Sequence, residues 1–261
     1  MPRMKIYSWN MLFRNLRRKS AFDFVRNVDA DVFCLQEVPK ALLTRLEKTY
    51  TYIAYASDVE HLFPRNPIPT YNVILSRYPI RGQGIISFPD YQDILPPRTR
   101  VARFLLRPFH FSEIRNRNGL YADIEAPSGT VRIFNLHLIL AHPTWRLQEF
   151  ERAMAERDPS LPTVVCGDFN IIESPKASIL NWVLGGRVSD AFRYKRERIS
   201  IENRFVAHEL TNALAGSHTH PFSHSQLDHI LVSHALTVRD ARVLPDRYGS
   251  DHHPIYVEIT T

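Results

Sequence analysis

The sequence predicts an α/β chain of mixed β-sheets with helices laid over them, and three observations predict it. Strand-length apolar runs alternate with helically spaced segments near the start. A turn-forming tetrapeptide, Ala126-Pro127-Ser128-Gly129, separates two runs of strand character. Of the 261 residues, 44% are hydrophobic, enough to bury a substantial core. The 9 glycines and 18 prolines are scattered, with no linker-like stretch and no fixed-period repeat, so a single domain over residues 1–261 is expected.

Residues 6–9 read as a first strand. In 20–28, Phe22, Val25 and Val28 fall three apart and suit one face of a helix. A second strand, 31–35, runs into Gln36-Glu37, and 39–50 carries Leu42, Leu43, Leu46 and Tyr50 on helical spacing. The apolar run 72–76 stops at Arg77-Tyr78-Pro79. Strict alternation over 120–125, the turn, and 131–140 make a β-hairpin. Leu147, Phe150 and Met154 suggest a helix, and 163–166 is a short strand of the buried type. Ser174-Pro175 reads as an N-cap with proline at the first helical position, and Gly185-Gly186 closes that helix. Residues 227–233 and 255–259 are the last strands. Hairpins mixed with strand–helix units argue for mixed sheets rather than a parallel barrel.

Cys34 and Cys166 both sit in apolar strand runs, where a free thiol behaves as a small hydrophobe, so two buried thiols are expected rather than a disulfide. No signal-peptide pattern follows Met1, and the longest apolar stretches are too short to span a bilayer, which points to a soluble, cytoplasmic protein. The formal charge of +6 favours a polyanionic partner. Arg98, Arg100, Arg103, Arg107, Arg115 and Arg117 fall in one segment and Arg193, Lys195, Arg196 and Arg198 in another; the blander alternative is solvated faces balanced by nearby glutamates.

Chemistry is expected where apolar strands end, because open sheets present ligand sites beyond strand termini. Asn10 ends the first strand and Glu37 the second. Gly167 permits a sharp turn, after which Asp168 and Asn170, two apart, project to one side. Asp228 introduces one late strand and Asp251-His252 the last, while His137 lies inside an apolar run. Singly, each has an ordinary explanation: a strand-end aspartate is usually a turn residue or cap, and a lone histidine a satisfied polar group. Together they would supply carboxylates, amides and imidazoles for phosphoester hydrolysis. Such oxygen donors prefer Mg2+ or Mn2+ to zinc, since thiolates are absent.

The segments Ser8-Trp9-Asn10, Leu35-Gln36-Glu37-Val38, Asn135-Leu136-His137-Leu138, Gly167-Asp168-Phe169-Asn170, Leu227-Asp228-His229-Ile230 and Ser250-Asp251-His252-His253-Pro254 resemble, in that order, the endonuclease/exonuclease/phosphatase superfamily. The resemblance implies the fold of pancreatic-type deoxyribonuclease, a four-layer αββα sandwich of two mixed sheets face to face with helices outside. It implies Glu37 as the main metal ligand, with Asn10 beside it and Asp251 completing the shell directly or through water. Asp168 would orient or deprotonate the attacking water, and Asn170 would bind phosphate or hold that water. His252, oriented by Asp228, would contact the scissile phosphate as donor or base, and His137 would donate at the leaving side or to a non-bridging oxygen. The number of metals, one or two, stays open.

Family membership leaves the substrate open. Nucleic acid comes first, with Asn72, Arg98 and Arg100 expected to touch it and Phe104, Phe109, His110 and Phe111 available to stack on unpaired bases. The alternative is a lipid or small-molecule phosphodiesterase, in which Phe104-Leu105-Leu106 and 109–111 form an apolar hairpin entering a membrane lipid surface, or those residues are simply core. A non-catalytic binding module comes last, because no residue of the set is missing. A monomer is expected. His218, His220 and His224 form a second cluster, read either as a transition-metal site or as a loop lining the cleft.

Overall fold

A computed structural model describes residues 2–62, 68–91, 94–106, 111–113, 116–140, 142–174, 178–192 and 195–260. Two β-sheets face each other. The first has seven strands in the order β12-β13-β1-β2-β4-β3-β6: β12 (Thr237–Val243), β13 (Ile255–Thr260), β1 (Arg3–Asn10), β2 (Val32–Pro39), β4 (Ile68–Ser76), β3 (Tyr52–Leu62) and β6 (Phe111–Glu113). The second has six in the order β10-β11-β9-β8-β7-β5: β10 (Leu210–Asn212), β11 (Asp228–Ser233), β9 (Thr163–Asp168), β8 (Gly129–His137), β7 (Asn118–Ala126) and β5 (Ile80–Ser87). Both sheets are mixed: β1 with β2 and β8 with β9 are parallel, and the other described pairings are antiparallel.

Strand periodicity explains the layering, since alternate side chains enter opposite cores. Met4, Ile6, Cys34, Ile74, Ile133, Val164, Cys166 and Ile230 fill the space between the sheets. Tyr7, Trp9, Phe33 and Leu35, from the alternate positions, pack under α1 (Arg18–Asn27) and α2 (Lys40–Glu47) through Phe22, Val25, Leu42 and Leu46. Phe134, Leu136, Val165 and Leu231 do the same under α4 (Pro143–Met154) and α7 (Lys195–Ala207) through Phe150, Met154, Ile201 and Phe205. Helix, sheet, sheet and helix are the four expected layers. Both cysteines are free and buried, from facing sheets.

Followed toward one end, the inner positions change character. Ile6 gives way to Ser8 and Asn10, Ile133 to Asn135 and His137, Cys166 to Asp168, Ile230 to Asp228, and Ile74 to Asn72, all buried. At the boundary an amide bridge crosses between the sheets: Gln36 Nε2 donates to Asn135 Oδ1 at 2.7 Å, and Asn135 Nδ2 donates to the carbonyls of Leu35 and Val73 at 2.9 and 3.0 Å. Beyond the bridge, the polar ends of both sheets meet.

Several elements differ from the sequence reading. The first helix begins at Arg18 and the second ends at Glu47. Among the described residues between Ser174 and Gly186, Ile179–Val183 is helical, and the Ser174 carbonyl accepts from Ser178; Gly185 and Gly186 end that turn as expected, and Pro175 lies outside the described residues. Of the segments 104–106 and 109–111, for which an apolar hairpin was one alternative, the first ends a helix, α3 (Pro97–Leu106), and Phe111 begins β6; residues 107–110 and the side chains of Phe104 and Phe111 lie outside the description. Among the described residues no helix is long and apolar enough to cross a membrane.

Candidate active site

Two backbone irregularities present the acidic groups. The β2–β4 register shifts between Leu35 and Val38, a bulge that re-aims the strand end, and within it Glu37 adopts φ 55°. Asn170 stands at φ 53°, in the left-handed region that asparagine tolerates better than most residues. Before it, Gly167 at φ 140° is obligatory, because a Cβ there would lie 1.8 Å from the Leu136 carbonyl oxygen.

Asp168 is the centre of the arrangement. Its Oδ1 accepts the Asn170 backbone N–H at 2.9 Å, and its Oδ2 accepts Asn10 Nδ2 at 3.0 Å. The same Oδ2 lies 3.8 Å from His137 Nε2 and 3.7 Å from His252 Nε2. His252 Nδ1 is held by Asp228 Oδ2 at 2.8 Å, as expected from the sequence, and His137 Nδ1 is held by Asp58 Oδ2, also at 2.8 Å. Asn10 bridges Asp168 and Glu37, donating to Glu37 Oε1 at 3.3 Å, while its own Oδ1 accepts from Leu12 N–H. Glu37 Oε2 accepts the Phe13 N–H at 3.1 Å.

Electrostatics assigns protonation states. Burial opposes charging of His252, but Asp228, Asp168 and Asp251 outweigh it and raise the ring to about 10. His137 likewise overcomes burial through Asp58, Asp168 and Glu37 and rises to about 9. Near neutral pH the surrounding carboxylates thus favour the charged form of both rings in the metal-free cluster. Burial resists ionisation of Asp168 too, yet the charges of His252 and His137 bring its carboxyl below the usual range. Burial raises Glu37, against the lowering effect of the His137 charge and the Phe13 N–H. Asp251 falls to about 2 against burial, through His220 and His252.

The donor set fits a hard divalent cation. Glu37, Asp58, Asp168, Asp228 and Asp251 converge on two imidazoliums, so the cluster carries excess negative charge, and Oδ1 of both Asp58 and Asp228 is buried without a hydrogen-bond partner among the described residues. Oxygens of Asp168 and Asp228 lie within 4.8 Å of each other beside His252, close enough to share one cation, and an Asp251 oxygen lies within 4.8 Å of ring nitrogens of His220 and His252, which face it as donors. Asp251 belongs to one of these groups, whereas Glu37 belongs to neither and reaches the cluster through Asn10. Asn10 presents its N–H groups to carboxylates here and so organises the ligands.

Asn10, Glu37, His137, Asp168, Asn170, Asp228, Asp251 and His252 are therefore brought to one end of the sandwich. Asn170 also donates from Nδ2 to the Leu138 carbonyl at 2.9 Å. Asn72 is fully buried and donates to the Asn118 carbonyl at 2.8 Å. Arg98 donates to the carbonyls of Trp182 and Gly186 and lies over the Trp182 ring, and Arg100 donates to the Leu95 carbonyl, so these guanidiniums brace α3 against its neighbours. Arg117 is buried in an ion pair with Glu149 and donates to the His137 carbonyl, bracing that strand end from behind. Of the second histidine cluster, His218 and His224 are exposed with ring centroids 6.4 Å apart, and only His220 turns to the site.

Asp58 and His61 were not foreseen. His61 stacks on Phe13 at 3.5 Å with Nε2 3.9 Å from Glu37 Oε2, and burial lowers it to about 4, so it stays neutral. Both belong to β3, and the available signal was alternation: Ala54, Ala56 and Asp58 share its inner face.

A model of the endonuclease/exonuclease/phosphatase family matches residues 7–252. No curated protein sequence matches the chain. Among solved structures, the chain is similar to an endonuclease/exonuclease/phosphatase from Beutenbergia cavernae DSM 12333, at 16% identity and TM-score 0.69, covering 99% of this chain and 72% of that one. It is similar to a humanized D. rerio TDP2, at 16% identity and TM-score 0.61 over 99% of both chains. It is also similar to a mannosyl-6-phosphatase from Bacteroides thetaiotaomicron VPI-5482, at 17% identity and TM-score 0.57, covering 99% of this chain and 100% of that one.

Proposed function

Since the chain belongs to the endonuclease/exonuclease/phosphatase family, and so is a hydrolase of phosphoric esters, we propose that its substrate is a nucleic-acid phosphodiester and its metal Mg2+ or Mn2+. The observation that carries this reading is the convergence of two histidine donors on one oxygen of Asp168. A phosphodiester has two non-bridging oxygens, and each finds one charged donor there.

Asp168, held ionised, accepts the proton of an attacking water and aligns it with phosphorus. As the new P–O bond forms in line, His252 and His137 donate to the oxygens that gain charge, and the opposite P–O bond breaks. The leaving oxygen takes a proton from an imidazolium or from solvent. Asp228 and Asp58 hold the rings oriented and support the charge of whichever ring has not given up its proton. Glu37 and Asp251 would hold the divalent cation, which supplies Lewis-acid neutralisation of charge on the phosphoryl group. Burial of Asp168, His137 and His252 keeps water from screening these interactions.

Nucleic acid is favoured by the rim around this acidic centre. Arg14 lies over Phe13, near enough to Glu37 and Asp251 to feel both charges. Arg247 covers one face of the exposed Phe222 ring at 5.7 Å. Cations and an uncovered aromatic beside a phosphoryl site suit a charged backbone with attached bases. The test is a panel of plasmid, single-stranded DNA, RNA, an abasic duplex, a 5′-phosphotyrosyl oligonucleotide, sphingomyelin vesicles and sugar phosphates, each with Mg2+ or Mn2+. Cleavage of a polynucleotide is expected; turnover confined to lipid or sugar phosphate would overturn the reading.

A further inference from the structure

The segment between β10 and β11 brings a third imidazole to the catalytic cluster. His220 pairs with Ser225 in an isolated β-bridge, and the adjoining Thr219 is tied on both sides. Its Oγ1 accepts the N–H groups of Leu227 and Asp228 at 3.1 and 3.0 Å, and its carbonyl accepts the His253 N–H at 2.9 Å. The segment is thus fixed to the strand that carries Asp228 and to the turn that carries Asp251 and His252.

The ring of His220 is anchored through one nitrogen. Nδ1 accepts the Ser223 backbone N–H at 3.2 Å and lies 2.9 Å from Ser223 Oγ. A backbone N–H can only donate, so Nδ1 carries the lone pair and the neutral ring keeps its proton on Nε2. That N–H faces Asp251 Oδ2 at 3.8 Å, beyond hydrogen-bond range, with the His252 ring 4.8 Å away centre to centre. A metal ligand would need the lone pair on Nε2, whereas this anchor supplies a donor there. Two residues on, the Phe222 ring is 75% exposed, 5.8 Å from the His220 ring and flanked by Arg247.

We propose that His220 and Phe222 form a subsite for the nucleotide flanking the scissile bond, His220 Nε2–H donating to a phosphate oxygen and Phe222 stacking on an unpaired base. The proposal rests on the nucleic-acid reading above. It gives an aromatic side chain that the core does not use a place against a π-face, and it gives an N–H that meets Asp251 only at 3.8 Å a closer anionic acceptor beside a site built for phosphate.

Steady-state cleavage of a single-stranded oligonucleotide by the Mg2+-loaded enzyme tests it. Phe222→Ala and His220→Ala should each lower kcat/KM about tenfold, mostly through KM, as loss of one stacked base or one phosphate donor does. Phe222→Trp and His220→Asn, which keep a ring and an N–H donor, should recover most of the loss. In chelator, the added indole of Phe222→Trp should be quenched by the same oligonucleotide, a readout that a merely structural role would not produce. Oligonucleotide cleavage that neither alanine variant slows would overturn the subsite alone. A wild type that hydrolyses bis(p-nitrophenyl) phosphate and leaves every oligonucleotide intact would overturn the nucleic-acid reading and the subsite together.

Discussion

His137 and His252 aim their Nε2 atoms at one acceptor, Oδ2 of Asp168, from 3.8 and 3.7 Å. Each is held from behind at 2.8 Å, by Asp58 in the first case and Asp228 in the second. The first pair comes from β3 and β8, the second from β11 and the turn before β13, so two unrelated stretches of chain build matching donors around one carboxylate.

Matching geometry implies matching effects. Asp58→Asn and Asp228→Asn should each lower kcat about 10²-fold, since an amide neither fixes the ring tautomer nor supports its charge. Rates on one oligonucleotide check this, and loss in only one of the two variants would show that the pairs are not equivalent.

Asp168→Asn keeps the shape of the residue and its hydrogen bond from the Asn170 N–H. It removes the acceptor for the water proton and the charge that sustains both imidazoliums, so kcat should fall by about 10²-fold or more with an unchanged circular dichroism spectrum. Near-normal turnover would remove Asp168 from its assigned role.

The raised imidazoles also set a pH dependence for stability. A group whose folded pKa exceeds its unfolded value of 6.5 stabilises fully below that value and loses its contribution as pH climbs through the folded pKa, about 9 for His137 and about 10 for His252. Metal-free wild type should therefore lose unfolding free energy in urea between about pH 7 and 10, and more steeply than Asp228→Asn. Parallel profiles for the two proteins would mean that His252 is not charged in the folded state.

Divalent cation should act on the fold as well as on the rate. Binding to a cluster that exists only when both sheets are assembled raises the apparent melting temperature with metal concentration. Chelator should abolish turnover, and Mg2+ or Mn2+ should restore both turnover and the thermal shift; Glu37→Gln should blunt the shift. A melting temperature indifferent to metal would argue against the cluster as its site.

Gly167→Ala should destabilise by about 3 kcal/mol or more, because the new methyl meets the Leu136 carbonyl at a left-handed φ that alanine also resists. Urea unfolding measures this. A loss under about 1 kcal/mol would show that the strand pair yields easily there.

The sandwich and most of the centre were legible in the sequence because they rest on period-2 burial and on polar residues that end apolar runs, as at Asn10, Glu37 and Asp168. Asp58 and His61 escaped because they lie beyond the apolar run 52–56, past Ser57 and around a register shift, where the strand goes on through mostly polar residues. The arginines misled for a different reason. Arg117 and Arg198 were counted as surface charge, whereas each is buried, reaches back to a carbonyl and pairs with a carboxylate; Arg98 is exposed and donates to the Gly186 carbonyl as well. Sequence lists cations; whether a guanidinium faces solvent or staples two elements together depends on acceptors more than 20 residues away, such as Gly186 for Arg98.

The amide bridge of Gln36 and Asn135 has a mechanical consequence. By tying β8 to the carbonyls of both Leu35 and Val73, it opposes shear between the two halves of the molecule, and sliding by a single residue, about 3.3 Å, would carry His137 away from Asp58. The spacing between the imidazole pairs is thus set by the scaffold itself, as in a vice whose gap is fixed by its frame.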